Sequence, residues 1–345
     1  MKALLTALPA LPGIAAGVYL VRARVHRMIL EGLRAPRTTH ELPPGGAGHR
    51  FERWLRAADG SRLFAWHLPS PRTGAAPAVV LMHGWGANAA MLLPIAQPLQ
   101  DAGWHVLVPD ARCHGRSDDA AFTSLPRFAE DIDTALEWLG TQPGVDRSHI
   151  VLIGHSVGAA AALYCASRRT DLAGVVSVSA FAHPADVMRR WLADRYIPFH
   201  PIGWYVLRHV QRVIGSSFDA IAPVNTIADV GCPVLLVHGT DDEIVPHGDA
   251  ARLAAAGREG AVESLSVVGT HDLAQAIGLH LPVLLRFLDR CKPPVADEGR
   301  STRNDRTMDP CPPPSRGVAG RGIESQVVQP RTALARQRGA AACNP

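Results

Sequence analysis

The sequence predicts an α/β protein whose mostly parallel central sheet is covered by helices on both faces. Three observations predict it. Between residues 50 and 291 short apolar runs alternate with helical patterns. The run Ile150-Val151-Leu152-Ile153 passes through Gly154-His155-Ser156-Val157-Gly158 straight into the small-residue stretch Ala159-Ala160-Ala161-Ala162-Leu163, a strand, a sharp turn and a helix. Every polar cluster of this region follows directly on an apolar run, at the carboxyl end of a strand, where ligands bind in such sheets.

Taken in order, the strands are expected at Phe51 to Arg56, Arg62 to His67, Ala78 to His83, His105 to Pro109, Ile150 to Ile153, Gly174 to Val178, Val234 to His238 and Val262 to Val268. The first two flank Asp59-Gly60 and read as an antiparallel hairpin. Helices are expected near 89–101, 126–140, 157–169, 247–257 and 272–290. From 181 to 223 an aromatic and basic segment intervenes, with Trp191, Tyr196, Trp204 and Tyr205 beside Arg189, Arg195 and Arg208. Its place between two strands, at their carboxyl ends, predicts a short helical lid over Ser156. A cap for apolar acyl chains and plain core packing with extended arginines both fit its composition.

The ends differ from the middle. Residues 1–50 carry 7 Lys+Arg against 2 Asp+Glu, residues 51–291 carry 19 against 24, and residues 292–345 carry 9 against 5. The globular part is therefore mildly acidic, which argues against nucleic acid as a partner. Ala3 to Val21 is uncharged and about long enough to cross a bilayer. Arg22, Arg24, Arg27 and Arg34 follow it, so residues 1–30 read as a hydrophobic anchor with the C-terminal domain on the cytoplasmic side, or as a signal segment cleaved on export. Residues 292–345 are rich in Pro, Gly and Arg and read as a disordered tail. The six cysteines show no metal-ligand spacing or disulfide density, so no metal is expected.

A serine on a strand-to-helix turn presents its hydroxyl at the top of the sheet, which makes Ser156 the candidate nucleophile. It needs a base, and of the sixteen histidines His271 follows the last strand in a loop before a helix. His83, His114 and His238 precede glycines in turns, where a structural role is expected, and His280 lies within the following helix. Four clusters then stand in order: His83-Gly84-Trp85-Gly86; Asp110 to Ser117; Gly239-Thr240-Asp241-Asp242-Glu243-Ile244-Val245-Pro246; and Gly269-Thr270-His271-Asp272.

Over roughly residues 50–291 this set resembles the α/β-hydrolase superfamily, and more loosely its membrane-anchored esterase and lysophospholipase-like branch. The resemblance implies an α/β-hydrolase fold and the order Ser156, Asp242, His271, with Asp241 the neighbouring alternative for the acid. It also implies an oxyanion hole from the N–H groups of Trp85 and Val157. Thr270 stands where the family has glycine, and Cys113 where its D-x-R-G-H-G-x-S loop has one. If that position needs positive φ, the loop is strained or rearranged.

The expected activity is a cofactor-free serine hydrolase acting on a small-molecule ester or lipid-like substrate. A thioesterase, peptidase, lysophospholipase or perhydrolase/haloperoxidase-like enzyme would use the same residues, and an inactive anchored binding protein would keep only the fold. Oligomeric state is not legible.

Overall fold

The computed structural model describes residues 10–40, 50–272 and 274–291. The expected tail over 292–345 and the first seven residues of the 3–21 stretch lie outside the described residues. Helix α1 (Ala10–Gly32) comes first, then the predicted hairpin, β1 (Phe51–Arg56) and β2 (Arg62–Leu68). Gly60 turns that hairpin at φ +86°, a conformation that costs glycine nothing in sterics.

Next come β3 (Ala76–Met82), α2 (Leu93–Asp101), β4 (His105–Pro109), α3 (Leu125–Gly140), β5 (Val145–His155), α4 (Val157–Ala166) and β6 (Gly174–Val178). The inserted segment holds α5 (Pro184–Ala193), α6 (Trp204–Ile214) and the single turns α7 (Phe218–Ile221) and α8 (Pro223–Thr226). The chain closes with β7 (Val234–Gly239), α9 (Gly248–Ala256), β8 (Val262–Val267) and α10 (Ala274–Arg290).

The strands form one sheet in the order β1-β2-β4-β3-β5-β6-β7-β8. The pairs β1/β2 and β2/β4 are antiparallel, and the remaining pairs are parallel. After β3 the chain steps outward to β4 and then returns across to β5, so the crossovers diverge between β3 and β5. A crevice opens at the carboxyl ends of those two strands.

Alternation along the strands divides the core in two. Ala78, Val80 and Met82 join the cluster under α3 and α4. Val79 and Leu81 join the one under α2 and α10. Burial on both faces explains why β3 and β5 read as near-continuous apolar runs.

The alanines of α4 exist to let a helix approach the sheet closely. Ala159 to Ala162 are fully buried. A Cβ on Gly154 would run into the Gly158 backbone, and one on Gly158 into the carbonyls of Met82 and His83. Any larger residue at these glycines would push the turn carrying Ser156 away from β3.

None of the described residues of the inserted segment lines the cavity at Ser156. The segment's buried residues Phe181, Leu192, Val206 and Leu207 belong to the α3/α4 cluster. Helix α1 packs on it: the His26 ring stacks on His209 at 3.7 Å, His26 Nε2 and the Tyr205 hydroxyl are 2.6 Å apart, and Ile29 and Leu33 pack against the same core. Among the described residues no helix is long and apolar enough to cross a membrane. The arginines from Arg22 onward interrupt the apolar stretch within α1 itself.

In the loop from Asp110 to Ser117, Cys113 adopts the left-handed conformation that favours glycine. That residue sits at φ +67°, where its Cβ costs about 1–2 kcal/mol. Its Sγ accepts from the Ala120 N–H at 3.3 Å, which offsets part of the strain. Next to it, the buried Arg112 donates Nε to Asp131 Oδ1 at 2.8 Å, while the Arg112 main-chain N–H donates to Oδ2 at 2.8 Å.

Candidate active site

Ser156 occupies φ +55°, ψ −120°, a conformation reserved almost wholly for glycine. The sharp turn from β5 into α4 imposes it and aims the hydroxyl into the crevice. Its main-chain N–H donates to the Val178 carbonyl at 2.9 Å, so the strained residue is held by the neighbouring strand.

The loop after β8 brings His271 to this serine. His271 Nε2 lies 3.0 Å from Ser156 Oγ, and its Nδ1 lies 2.8 Å from Asp242 Oδ2. With the proton on Nδ1 facing the carboxylate, Nε2 is free to accept from the serine hydroxyl.

Asp242 is nearly out of solvent, whereas Asp241 beside it is exposed. Burial alone would raise its pKa. The N–H groups of Val245 and Ile244, at 2.8 and 3.0 Å from Oδ1, and the His271 ring overcome that effect and hold the carboxyl below its usual range. The spacing from Asp242 to Val245-Pro246 thus has a physical role: the turn folds two amides back onto the acid.

The two residues expected to supply oxyanion-hole amides sit beside the serine, Val157 next in the chain and Trp85 in the lining of the same cavity. Val157 opens α4, and a first-turn N–H has no acceptor inside its own helix. Trp85 follows Gly84, and a Cβ on Gly84 would stand 3.0 Å from Ser156 Cβ. The β3 loop therefore lies against the nucleophile because residue 84 has no side chain.

Several contributors had weak sequence signals or none. His155 Nε2–H donates to the His271 carbonyl at 2.8 Å. Burial pushes the His155 pKa down and keeps the ring neutral. As the variable residue of G-x-S-x-G it carries no pattern of its own.

Thr38, from the arm after α1, donates to the Gly86 carbonyl at 3.0 Å, and Asn88 Nδ2 donates back to Thr38 Oγ1 at 3.0 Å and the Thr39 carbonyl at 3.0 Å. Asn88 Oδ1 accepts from the Ala90 N–H, the capping role its type and place before an apolar run would suggest. Asp110, fully buried, accepts from the Ala89 and Arg116 amides and from His40 Nε2. The arm is thus tied to both loops that flank the crevice.

The turn histidines are scaffold. His83 Nδ1–H donates to the Gly84 carbonyl at 2.7 Å and its Nε2 accepts from the Ala111 N–H at 3.0 Å. His238 Nε2–H donates to the Val245 carbonyl at 3.0 Å, which steadies the acid turn. Thr270, in place of a glycine, is exposed and crowds nothing. The close approach falls on Gly239 instead, where a Cβ would meet the Gly269 and Thr270 carbonyls.

A cavity of about 300 Å³ opens at Ser156, lined among others by Trp85, Met91, Leu92, Ile95, Ile153 and Val178. None of the described residues from 181 to 223 lines it. No cluster of metal-ligating side chains occurs among the described residues.

The family model described as "Serine aminopeptidase, S33" matches residues 74–211, which includes Ser156 but neither Asp242 nor His271. An uncharacterized protein of Mycobacterium tuberculosis is 32% identical over 205 residues, 59% of this chain and 66% of that protein, so the chain spans just under two thirds of that relative. The α/β-hydrolase domain-containing protein WAV2 of Arabidopsis thaliana is 25% identical over 68% of this chain and 74% of its own length. Protein phosphatase methylesterase 1 of Schizosaccharomyces pombe is 27% identical over 48% of this chain and 50% of its own.

Among solved structures, the Pyrococcus furiosus esterase Pf2001 superposes with a TM-score of 0.60 at 19% identity, covering 75% of this chain and all of that one. Est1E of Butyrivibrio proteoclasticus superposes at 0.57 and 19%, covering 69% and 99%. These two share the fold.

Proposed function

We propose that this chain, which resembles the α/β hydrolases in fold and in its matched residues, is a serine hydrolase that cleaves carboxylic esters through Ser156, His271 and Asp242. One observation carries the reading: the relay from Ser156 Oγ to His271 Nε2 at 3.0 Å and from Nδ1 to Asp242 at 2.8 Å opens into an apolar cavity.

As Ser156 Oγ bonds to the ester carbonyl carbon, its proton passes to His271 Nε2. The charge that moves onto the carbonyl oxygen meets the N–H groups of Trp85 and Val157. Collapse breaks the bond to the alcohol, which leaves with the proton from Nε2. Water then attacks the acyl-serine, returns a proton through Nε2 to Oγ, and releases the acid. Asp242 accepts from Nδ1–H throughout and stabilises the imidazolium.

Esters of apolar acids fit better than peptides, because the cavity walls are apolar and a peptide amine would bring a charge to them. The relative named as a methylesterase supports an ester as the bond cleaved.

The test is labelling of the full-length protein with a fluorophosphonate and location of the adduct by mass spectrometry. An adduct on Ser156, lost in Ser156→Ala with the fold intact by circular dichroism, is the expected result. Esterase activity retained by Ser156→Ala would sink the assignment.

We further propose that α1 associates with a membrane surface and leaves the catalytic domain on the cytoplasmic side. Val18, Tyr19, Leu20 and Val21 are each roughly two-thirds exposed, and Arg22, Arg24 and Arg27 follow them. Flotation with anionic phospholipid vesicles should carry the protein upward, and less so after Leu20→Glu/Val21→Glu. Protein that stays at the bottom with every vesicle would remove this reading, and a shortened chain recovered outside expressing cells would favour export.

A further inference from the structure

We infer that the cavity at Ser156 is an acyl pocket for straight chains of medium length, about eight to ten carbons, running along the α2/α10 face of the sheet. The inference rests on the serine-hydrolase reading and names the acid part of its substrate.

The direction of the cavity is set by its walls. Ile95, Ile153 and Val178 line it, and the same three residues line a smaller chamber of about 20 Å³ beyond them. Val176, Leu235, Val237, Leu265, Leu284 and His280 complete that chamber. All but His280 belong to the α2/α10 apolar cluster or pack against it. A single layer of side chains therefore separates the serine pocket from a space deeper in the same layer.

The far end lies deep among apolar side chains, with the half-buried Leu265 and His280 at its edge. Val176, Leu235 and Leu284 are at most 5% exposed. At the near end, Trp85 and Ile244 are 40% and 63% exposed, beside His271 and Asp272. An acyl group that stays bonded to Ser156 is thus held in the inner arm, and the alcohol departs through the open mouth.

The inserted segment adds nothing to the inner arm: none of its residues lines either space, and its buried apolar residues lie in the α3/α4 cluster on the other face. Length is then limited by the space between sheet and helices. A methylene fills about the volume of a water molecule, about 30 Å³, so about 300 Å³, the open mouth included, holds about ten carbons at most. Each methylene moved from water to such walls favours binding by up to about fourfold.

The experiment is kcat/KM of the full-length protein on p-nitrophenyl esters from two to sixteen carbons, beside fluorophosphonate labelling of Ser156. The expected profile climbs by up to about fourfold per methylene to an optimum at about eight to ten carbons and falls beyond it. Ile95→Trp fills the junction and should move the optimum to shorter chains. Leu284→Ala enlarges the inner chamber and should move it to longer ones, and serves if the tryptophan variant fails to fold.

A labelled Ser156 with a profile that declines from two carbons, or that still climbs at sixteen, overturns the pocket and leaves the hydrolase reading standing. So does an optimum that both folded variants leave in place. No adduct and no ester cleaved at any length overturns the hydrolase reading, and the pocket with it.

Discussion

His155 and His271 are joined by a hydrogen bond from the Nε2–H of the first to the main-chain carbonyl of the second, at 2.8 Å. The residue that precedes the serine on β5 thereby holds the loop that carries His271. Replacing it with phenylalanine keeps the bulk and deletes the donor. His155→Phe should lower kcat about tenfold, the worth of one lost hydrogen bond, with KM little changed. His155→Gln, which can donate from the same region, should recover most of the loss. Steady-state kinetics of the two variants decide it: equal activity in His155→Phe and the parent would show that the loop stands without this bond.

Thr38 bridges the N-terminal arm to the Gly86 carbonyl in the loop that carries the Trp85 amide. Under the proposed mechanism, Thr38→Val should let that loop drift and reduce both kcat and the rate of fluorophosphonate labelling about tenfold. Thr38→Ser retains the hydroxyl and should restore both. A fall in KM alone would refute a positioning role.

Arg112 and Asp131 are both buried, and the arginine also reaches Asp59 Oδ2 at 2.8 Å. Arg112→Met leaves an unpaired carboxylate in the core and should lower stability by about 3–5 kcal/mol in urea denaturation. The double variant Arg112→Met/Asp131→Leu should recover much of that. It leaves the Arg112 main-chain N–H without its acceptor, which costs about 1–3 kcal/mol. A double variant no better than the single would show that the pair is held for more than charge neutrality.

Burial pushes the pKa of His67 and of His114 down to about 4. Both rings stay neutral in the fold, while the unfolded chain takes up a proton at about pH 6.5. Below that pH the unfolded state binds more protons, so acidification favours it. Each histidine should therefore remove about 1.4 kcal/mol of stability per pH unit between about pH 6.5 and 4. Thermal melts across this range should show the decline, and His67→Phe should flatten it by about one proton. An unchanged slope in that variant would contradict a neutral buried His67.

Much of the site could be read from the chain because its signals are local. Gly154-His155-Ser156-Val157-Gly158 between a strand and a helix makes a turn whose geometry depends on adjacent residues, and the structure places Ser156 at φ +55° there. Asn88 likewise caps by its type and position. The arm was illegible: Thr38 meets Gly86 and His40 meets Asp110 across 48 and 70 residues, and no periodicity in a short polar stretch encodes such partners. The inserted segment left two readings open for a related reason. Aromatic and basic residues at 181–223 are equally suited to covering a serine or to packing against α1 and α4, and only burial decides between them.

By itself the sequence determined which strands form, that the sheet is mostly parallel, and which serine, histidine and aspartate are candidates. Those follow from patterns within a few residues and from their order along the chain. Tertiary structure put Asp242, the acid the sequence already favoured, against His271, and it alone decided that the arm braces the β3 loop and that the cavity runs under α2 rather than beneath the inserted helices. Each of these depends on which surfaces bury one another, and that competition for apolar contact is settled by the whole fold at once.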